Sequence, residues 1–288
     1  MTLDTHQDPG AFGGLTECCD PATSRFAVLP IAYDGTSTWL KGADRGPEAM
    51  LEASANMELY DIETDSEPWR SGIVTMAPLA GYDTPEDMVA AVKAAAAGLL
   101  EQGKTVVGLG GEHSVSIGLI QAHAARFPGL NVLQFDAHSD TRQEYEGSAN
   151  NHACVMARAA EICPYVQVGI RSMDAAEKEL LDPARTFFGH RFTASDEQIA
   201  AVIARLDGPV YVTIDLDVLD PSEMPSTGTP EPGGMRYLQL VKVLRQVCAA
   251  RQVVGFDVVE LLPSQQNKAP DFLAARLVYQ LMAYLNRN

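Results

Sequence analysis

Acidic and histidine side chains are concentrated in three short segments of the sequence, each of which follows an apolar run. The runs TVVGL, LNVLQF and VYVTI lead into GGEHS, DAHSD and DLDVLD. The candidate ligands in these segments are His113, Asp136, His138, Asp140, Asp215 and Asp217. Four aspartates gathered in one place repel one another, and they cannot all remain ionised unless cations neutralise them. The residue types and their grouping therefore predict a site for divalent cations.

The size of this ligand set predicts two ions. Six side chains can hold two cations if some carboxylates bridge them, as in two-metal hydrolytic sites. The set offers oxygen and imidazole ligands and no thiolate, which favours Mn²⁺ over Zn²⁺ without excluding Zn²⁺, Ni²⁺ or Co²⁺. Asp136, His138 and Asp140 alternate along the chain, so an extended segment would place them on one side. We expect the same alternation to bring Asp215 and Asp217 together.

The strands and helices that position these side chains are predicted by an alternation of apolar runs and helical patterns. Six runs are typical of buried parallel strands: 26–33, 105–109, 130–135, 165–170, 210–215 and 252–259. Helices are predicted at 47–59, 85–103, 114–127, 196–206, 235–250 and 271–286, the last of them buried. This alternation predicts an α/β protein in which helices cover both faces of one parallel sheet. In such sheets the ligand site lies at the carboxyl ends of the strands.

Composition and chain organisation narrow the class of protein. No linker interrupts the alternation, so residues 26–288 are assigned to one domain, and residues 1–25 are expected to be an arm on a neighbouring subunit or a loose tail. The formal net charge of −17 opposes binding to nucleic acid or to anionic membrane surfaces. The five cysteines form no disulfide framework, and the first residues lack an export signal. These features predict a cytoplasmic protein without a membrane span.

The three acidic segments, followed by GFDVVELLP at 255–263, resemble the motifs of the ureohydrolase family, which contains arginase and agmatinase. The resemblance implies the three-layer α/β/α arginase-like fold, a homo-oligomer (trimer or hexamer) and release of urea from a small guanidino substrate. It implies that one Mn²⁺ is held by His113, Asp136, Asp140 and Asp215. It implies that a second Mn²⁺ is held by Asp136, His138, Asp215 and Asp217.

The same resemblance assigns residues that act on the substrate. His152 matches the histidine that shuttles protons, Glu260 matches the acid that holds the guanidinium, and Asp140 is placed with them as a catalytic residue. A carboxylate grips the planar guanidinium fork bidentately. The guanidinium carbon is electron-rich by resonance, so its hydrolysis needs a strong nucleophile, which a two-metal site supplies as hydroxide at neutral pH.

Further segments resemble the agmatinase branch of the family. They are the loop after Asp140, GADRGPEAM near residue 42, NHACVMAR and TGTPEPGG. This branch implies hydrolysis of agmatine to putrescine and urea, a step in polyamine biosynthesis. Guanidinobutyrate, aminopropylagmatine and, less favoured, arginine are the alternative substrates. Arg142 bears on this choice, because it either clamps a substrate carboxylate or pairs with Glu144 or Glu146 and does not reach the substrate.

Two other classes of protein fit the sequence less well. A zinc deacetylase would use one metal and fewer ligands, and the complete second-metal set argues against it. A metal-binding homologue without activity would be expected to have lost ligands, and none is missing. The histidines outside the motifs, His6, His123 and His190, are interpreted as structural or exposed, and Cys154 and Cys163 as small buried hydrophobic residues.

Overall fold

The structure, a computed structural model, describes residues 10–286. Its strands are β1 (Phe26–Ala32), β2 (Ile73–Thr75), β3 (Leu79–Ala80), β4 (Thr105–Gly110), β5 (Asn131–Phe135), β6 (Tyr165–Ile170), β7 (Thr186–Phe188), β8 (Val210–Asp215) and β9 (Val253–Val259). Its α-helices are α1 (Gly46–Ser54), α2 (Pro85–Glu101), α3 (Val115–Arg126), α4 (Val155–Ala160), α5 (Asp196–Ile203), α6 (Tyr237–Ala250) and α7 (Ala269–Leu285). Within the described residues no helix is both long and apolar enough to cross a membrane.

One sheet contains all of these strands, in the order β2-β1-β4-β9-β8-β5-β6-β7, with β3 paired to the end of β1. Every pairing is parallel. The predicted α/β class with a parallel sheet is confirmed, and the six predicted strands and six predicted helices are present. The sequence patterns missed β2, β3, β7 and α4, because two or three strand residues or six helical residues do not complete a period that can be recognised.

Helices cover both faces of the sheet and form three layers with it. One face packs against α2, α3 and α4, and the other against α1, α5, α6 and α7. Side chains of β1 alternate between the two cores, so Leu29 points to the first and Val28 to the second. Helix α7 is buried on most of its surface, as its apolar residues predict.

The described part of the N-terminal segment, residues 10–25, lies against its own domain. Phe12 is fully buried, and its ring stacks on that of Tyr279 in α7 with the centroids 6.4 Å apart. The Phe12 N–H donates to Thr75 Oγ1 at 2.9 Å, and the Gly13 N–H donates to Ser54 Oγ at 2.8 Å. Residues 10–25 are therefore neither an arm on a neighbouring subunit nor a loose tail, the two alternatives expected for 1–25, because the Phe12 side chain packs into the core of its own chain. Residues 1–9 and 287–288 lie outside the described residues.

Candidate metal centre and active site

The four central strands of the sheet deliver the predicted site residues to one edge. Strands β4, β9, β8 and β5 are consecutive neighbours, and their carboxyl ends lead into the acidic segments. All six predicted ligands meet there, together with Glu260 after β9. Each of these side chains is almost fully buried except that of His138, which is one-quarter exposed. A charged cluster of this depth must be compensated.

The ligand atoms form two groups that share Asp136. In the first group, His113 Nδ1 lies 3.1 Å from Asp136 Oδ2, 3.0 Å from Asp140 Oδ2 and 3.5 Å from Asp215 Oδ2. In the second group, His138 Nδ1 lies 2.9 Å from Asp217 Oδ2 and 3.7 Å from Asp136 Oδ1. The sets His113, Asp136, Asp140 and Asp136, His138, Asp217 each have the composition and spacing of residues that can hold a metal ion.

Turns, and not the expected extended alternation, bring the aspartates of each segment together. Asp140 has a φ of +52°, so the chain has left the extended conformation there. Asp217 lies in a 3₁₀ helix, Leu216–Val218, which begins where Asp215 Oδ1 accepts the Asp217 N–H at 2.9 Å. The extended alternation therefore reaches His138, which pairs in parallel with Ser172, but it does not describe the backbone at Asp140 or the turn that brings Asp217 to Asp215.

His113 is oriented from behind by a hydrogen-bonded threonine. Thr213 Oγ1 lies 2.9 Å from His113 Nε2 and 2.7 Å from Asp257 Oδ1. Since the hydroxyl donates its hydrogen to the Asp257 carboxylate, it accepts one from Nε2, and the lone pair of the imidazole is on Nδ1. This buried Nδ1 has no hydrogen-bond partner and faces the carboxylates. An orphaned nitrogen lone pair among carboxylate oxygens fits a divalent cation.

Proton uptake balances the crowded charges of the cluster. Burial raises the pKa of Asp140 to about 7, and the neighbouring Asp136 adds to this. Burial also raises the pKa of Asp215 well above its usual value, with Asp217 and Asp136 contributing. Burial opposes protonation of His138, but the carboxylates of Asp217 and Asp136 raise its pKa to about 12. Divalent cations would balance the same charges, so the electrostatics also fit a metal centre.

His152 lies beside this cluster and is held by the loop after β1. The Thr36 Oγ1 atom lies 2.9 Å from the His152 backbone nitrogen and 3.2 Å from Nδ1, and 2.8 Å from both carboxylate oxygens of Glu112. Burial lowers the pKa of His152 to about 4, and the neighbouring imidazoles of His113 and His138 contribute to the shift. No sequence pattern indicated Thr36 or Glu112, although Glu112 stands inside the GGEHS motif.

Glu260 is fixed at the same edge by its neighbour across the sheet. Its Oε1 accepts the His113 N–H at 2.8 Å, and its φ of +66° marks a sharp turn after β9. Burial raises the pKa of Glu260 well above its usual value, and Glu112 adds to the shift. Gly228 lies next to this carboxylate: a Cβ atom there would stand 3.7 Å from Glu260 Oε2, an ordinary van der Waals distance.

A cavity of about 310 Å³ opens from the cluster to the surface. Its lining includes His138, Asp140 and His152 from the cluster, together with Asp174 and Glu177. No sequence pattern indicated these two acids, because they follow β6 in a segment without a metal-ligand pattern. The volume suits a small ligand.

Arg142 also lines this cavity, with its charge already paired. Its Nε lies 3.5 Å from Glu177 Oε2, and its guanidinium carbon lies 4.3 Å from the centroid of the Tyr145 ring. Of the two alternatives, the pairing within the protein is present, but its partner is Glu177 from a distant segment and not Glu144 or Glu146.

The chain is similar to proteins of one family. The model of the Arginase family matches residues 24–284. The chain is 37% identical over 274 residues to the N(1)-aminopropylagmatine ureohydrolase of Synechocystis sp., covering 91% of this chain and 90% of that protein. It is 40% identical to the enzyme of the same name from Thermus thermophilus, over 89% and 88% of the two chains. The crystal structure of the agmatine ureohydrolase of Thermoplasma volcanium superposes with a TM-score of 0.86 at 26% identity, covering 98% of this chain and 96% of that one.

Proposed function

The chain belongs to the arginase family, and from this premise we propose that it is a metal-dependent ureohydrolase acting on a linear guanidino amine. The substrate is agmatine or its N(1)-aminopropyl derivative, and the products are urea and the corresponding amine, putrescine in the case of agmatine. The observation that carries this proposal is the buried cluster of four aspartates and two histidines beside Glu260 and His152. The names of the similar ureohydrolases support both substrates.

We propose two Mn²⁺ ions per subunit in this cluster. One would be held by His113, Asp136, Asp140 and Asp215, and the other by Asp136, His138, Asp215 and Asp217. The free lone pair of His113 Nδ1 and the crowding of the carboxylates support this placement. Two divalent cations bound there would supply Lewis acidity, which makes hydroxide available at neutral pH.

Glu260 and His152 then act on the substrate directly. Glu260 binds the guanidinium, because its carboxylate lies at the edge of the metal-ligand cluster and its Oε1 is fixed by the His113 N–H. Attack on the guanidinium carbon gives a tetrahedral species whose amine cannot leave as an anion. His152 supplies the proton that this amine needs, since it lines the cavity with one ring nitrogen outside its hydrogen bond to Thr36.

The cavity favours a substrate with a cationic tail. Arg142 Nε lies 3.5 Å from Glu177 Oε2 and its guanidinium lies over the Tyr145 ring, which favours a role within the protein over one in clamping a substrate carboxylate. The carboxylate of Asp174 adds negative charge to the lining. An ammonium tail therefore fits this cavity better than the carboxylate of arginine or guanidinobutyrate, which would be desolvated without a partner.

The cellular setting belongs to the same proposal. We place the enzyme in the cytoplasm, in polyamine biosynthesis, as a homo-oligomer (trimer or hexamer) with residues 26–288 as its catalytic domain. The cysteine pattern of the sequence supports the compartment. The family resemblance supports the assembly and the domain.

Urea release from a panel of guanidino compounds tests the proposal. With Mn²⁺ present, we expect kcat/KM for agmatine or N(1)-aminopropylagmatine to exceed that for arginine at least about a hundredfold, because arginine carries an unpartnered carboxylate. The Asp136→Ala variant is the control for contaminating activity. Comparable efficiency with arginine would contradict the proposed substrate class, and a strong preference for guanidinobutyrate would identify Arg142 as a carboxylate-binding residue.

A further inference from the structure

The hydroxyl of Thr36 stands between His152 and a buried carboxylate. Thr36 Oγ1 lies 3.2 Å from His152 Nδ1, and it lies 2.8 Å from both Oε1 and Oε2 of Glu112. The three residues come from the loop after β1, the loop after β4 and a 3₁₀ helix at His152–Cys154. They form a continuous path from the cavity lining to the inside of the protein.

Hydrogen-bond donors converge on Glu112 and make it an acceptor. The Thr36 N–H donates to Oε2 at 2.8 Å, the Ser37 hydroxyl donates to Oε2 at 3.4 Å, and the Ser114 hydroxyl donates to Oε1. The Thr36 hydroxyl has a single hydrogen. Because the Glu112 carboxylate accepts hydrogen bonds and does not donate them, the Thr36 hydroxyl directs its hydrogen to Glu112.

The direction of this bond fixes the state of the imidazole. With its hydrogen used, Thr36 Oγ1 offers only lone pairs, one of which accepts the His152 backbone N–H at 2.9 Å. The other accepts from Nδ1, so Nδ1 carries the hydrogen and Nε2 carries the lone pair. His152 lines the cavity, and Nε2 has no hydrogen-bond partner in the described part of the chain.

We propose that Thr36 and Glu112 are positioning residues that hold His152 as the Nδ1–H tautomer, so that Nε2 alone exchanges protons with the substrate. The inference rests on the proposed function. As the C–O bond forms, Nε2 takes one hydrogen of the attacking water, and as the C–N bond breaks, the same Nε2–H passes to the leaving amine. The second hydrogen of the water leaves the oxygen as the C=O bond of urea forms, and Nε2 passes it likewise to the amine, which departs as R–NH₃⁺. Between these transfers the Glu112 carboxylate stabilises the imidazolium through Thr36.

Thr36→Val, compared with Thr36→Ser, tests this role. Valine keeps the shape and removes the hydroxyl, so we expect kcat to fall about 10- to 100-fold, while KM stays within about threefold and metal content is unchanged. Serine keeps the hydroxyl, so we expect it to retain at least about one third of kcat. Equal kcat for Thr36→Val and the wild type, or equal losses in both variants, would overturn the inference.

The tautomer itself can be measured without turnover. In ¹⁵N-histidine-labelled protein loaded with diamagnetic Zn²⁺, the His152 signals are identified by their loss in His152→Asn. We expect a protonated Nδ1 and an unprotonated Nε2 in the wild type and in Thr36→Ser, and a changed ratio in Thr36→Val. A protonated Nε2 in the neutral wild-type ring would refute the inference.

A second variant keeps the inference testable if Thr36→Val does not fold. The Glu112→Gln amide can donate to Thr36, which turns the threonine hydrogen toward Nδ1 and reverses the tautomer. We expect the reversed NMR pattern with a fall in kcat, and an unchanged pattern would contradict the inference. Absence of urea release by the wild type from every guanidino compound would refute the proposed function instead, and the NMR result would still decide the tautomer.

Discussion

Thr213 acts on the metal centre from the side opposite the carboxylates. Its hydroxyl ties His113 Nε2 to Asp257, and Asp257 in turn accepts the Tyr211 hydroxyl at 2.6 Å. This chain of hydrogen bonds fixes both the ring plane and the tautomer of His113. Hydrogen bonds to the second ring nitrogen raise the basicity of metal-ligating histidines.

Removal of this hydroxyl should weaken metal binding. We expect Thr213→Val to lower the affinity for one Mn²⁺ about 10- to 100-fold, as measured by titration of the metal-free protein, because His113 loses its orienting acceptor. Thr213→Ser is the matched control, since it keeps the hydroxyl and should bind nearly as the wild type does. Equal affinities for Thr213→Val and the wild type would show that packing alone orients His113.

His123, in helix α3, is a buried histidine outside the metal-ligand cluster, and its role is structural. His123 Nδ1 donates to Leu119 O at 2.7 Å, and its ring centroid lies 4.4 Å from that of Tyr211. Its Nε2 is buried without a partner, against the backbone of Gly255, where a Cβ atom would come within 2.2 Å. Protonation of Nε2 would bury an unpaired charge, so burial lowers the pKa of His123 to about 4.

This histidine should make the protein less stable in mild acid. The folded-state pKa of His123 is lower than the unfolded value of about 6.5, so the unfolded chain binds more protons between these values. The stability that neutral His123 contributes is complete above about pH 6.5 and is lost as the pH falls toward 4. Between pH 7 and 5 we expect the wild type to lose roughly 2 kcal/mol more unfolding free energy than His123→Gln, as measured by urea denaturation. Equal losses in both proteins would contradict this assignment.

Local patterns predict the elements of this fold better than they predict its contacts. Apolar runs and helical periods predict the longer strands and helices, and the acidic segments at strand ends predict the ligands. Along the sequence, Glu112 is 76 residues from Thr36 and His152 is 116 residues from it. Glu177 likewise contacts Arg142 from a separate segment. No periodicity records such pairings, because only the packed sheet brings these loops together.

The charge of the whole molecule should affect the rate at which a cationic substrate arrives. The chain carries a net charge of −17, and Asp174 lines the cavity. We expect kcat/KM for agmatine, a dication, to fall as the ionic strength rises from low to physiological, because salt screens the attraction. Asp174→Asn should reduce this dependence, and Glu101→Gln, at the far end of α2, should not. A kcat/KM that does not change with salt would exclude electrostatic steering.

The position of β9 in the sheet determines when the sheet can be completed during synthesis. β9 is the last strand to be synthesised, yet it lies between β4 and β8. Until it emerges from the ribosome, the nascent chain can form only two half-sheets, each with an unpaired edge open to aggregation. His113 belongs to one half, and the other ligands belong to the second. A ribosome-stalled chain ending at residue 252 should therefore be sensitive to protease and unable to retain the Mn²⁺ that needs His113, whereas the released full-length chain should resist protease and bind both ions.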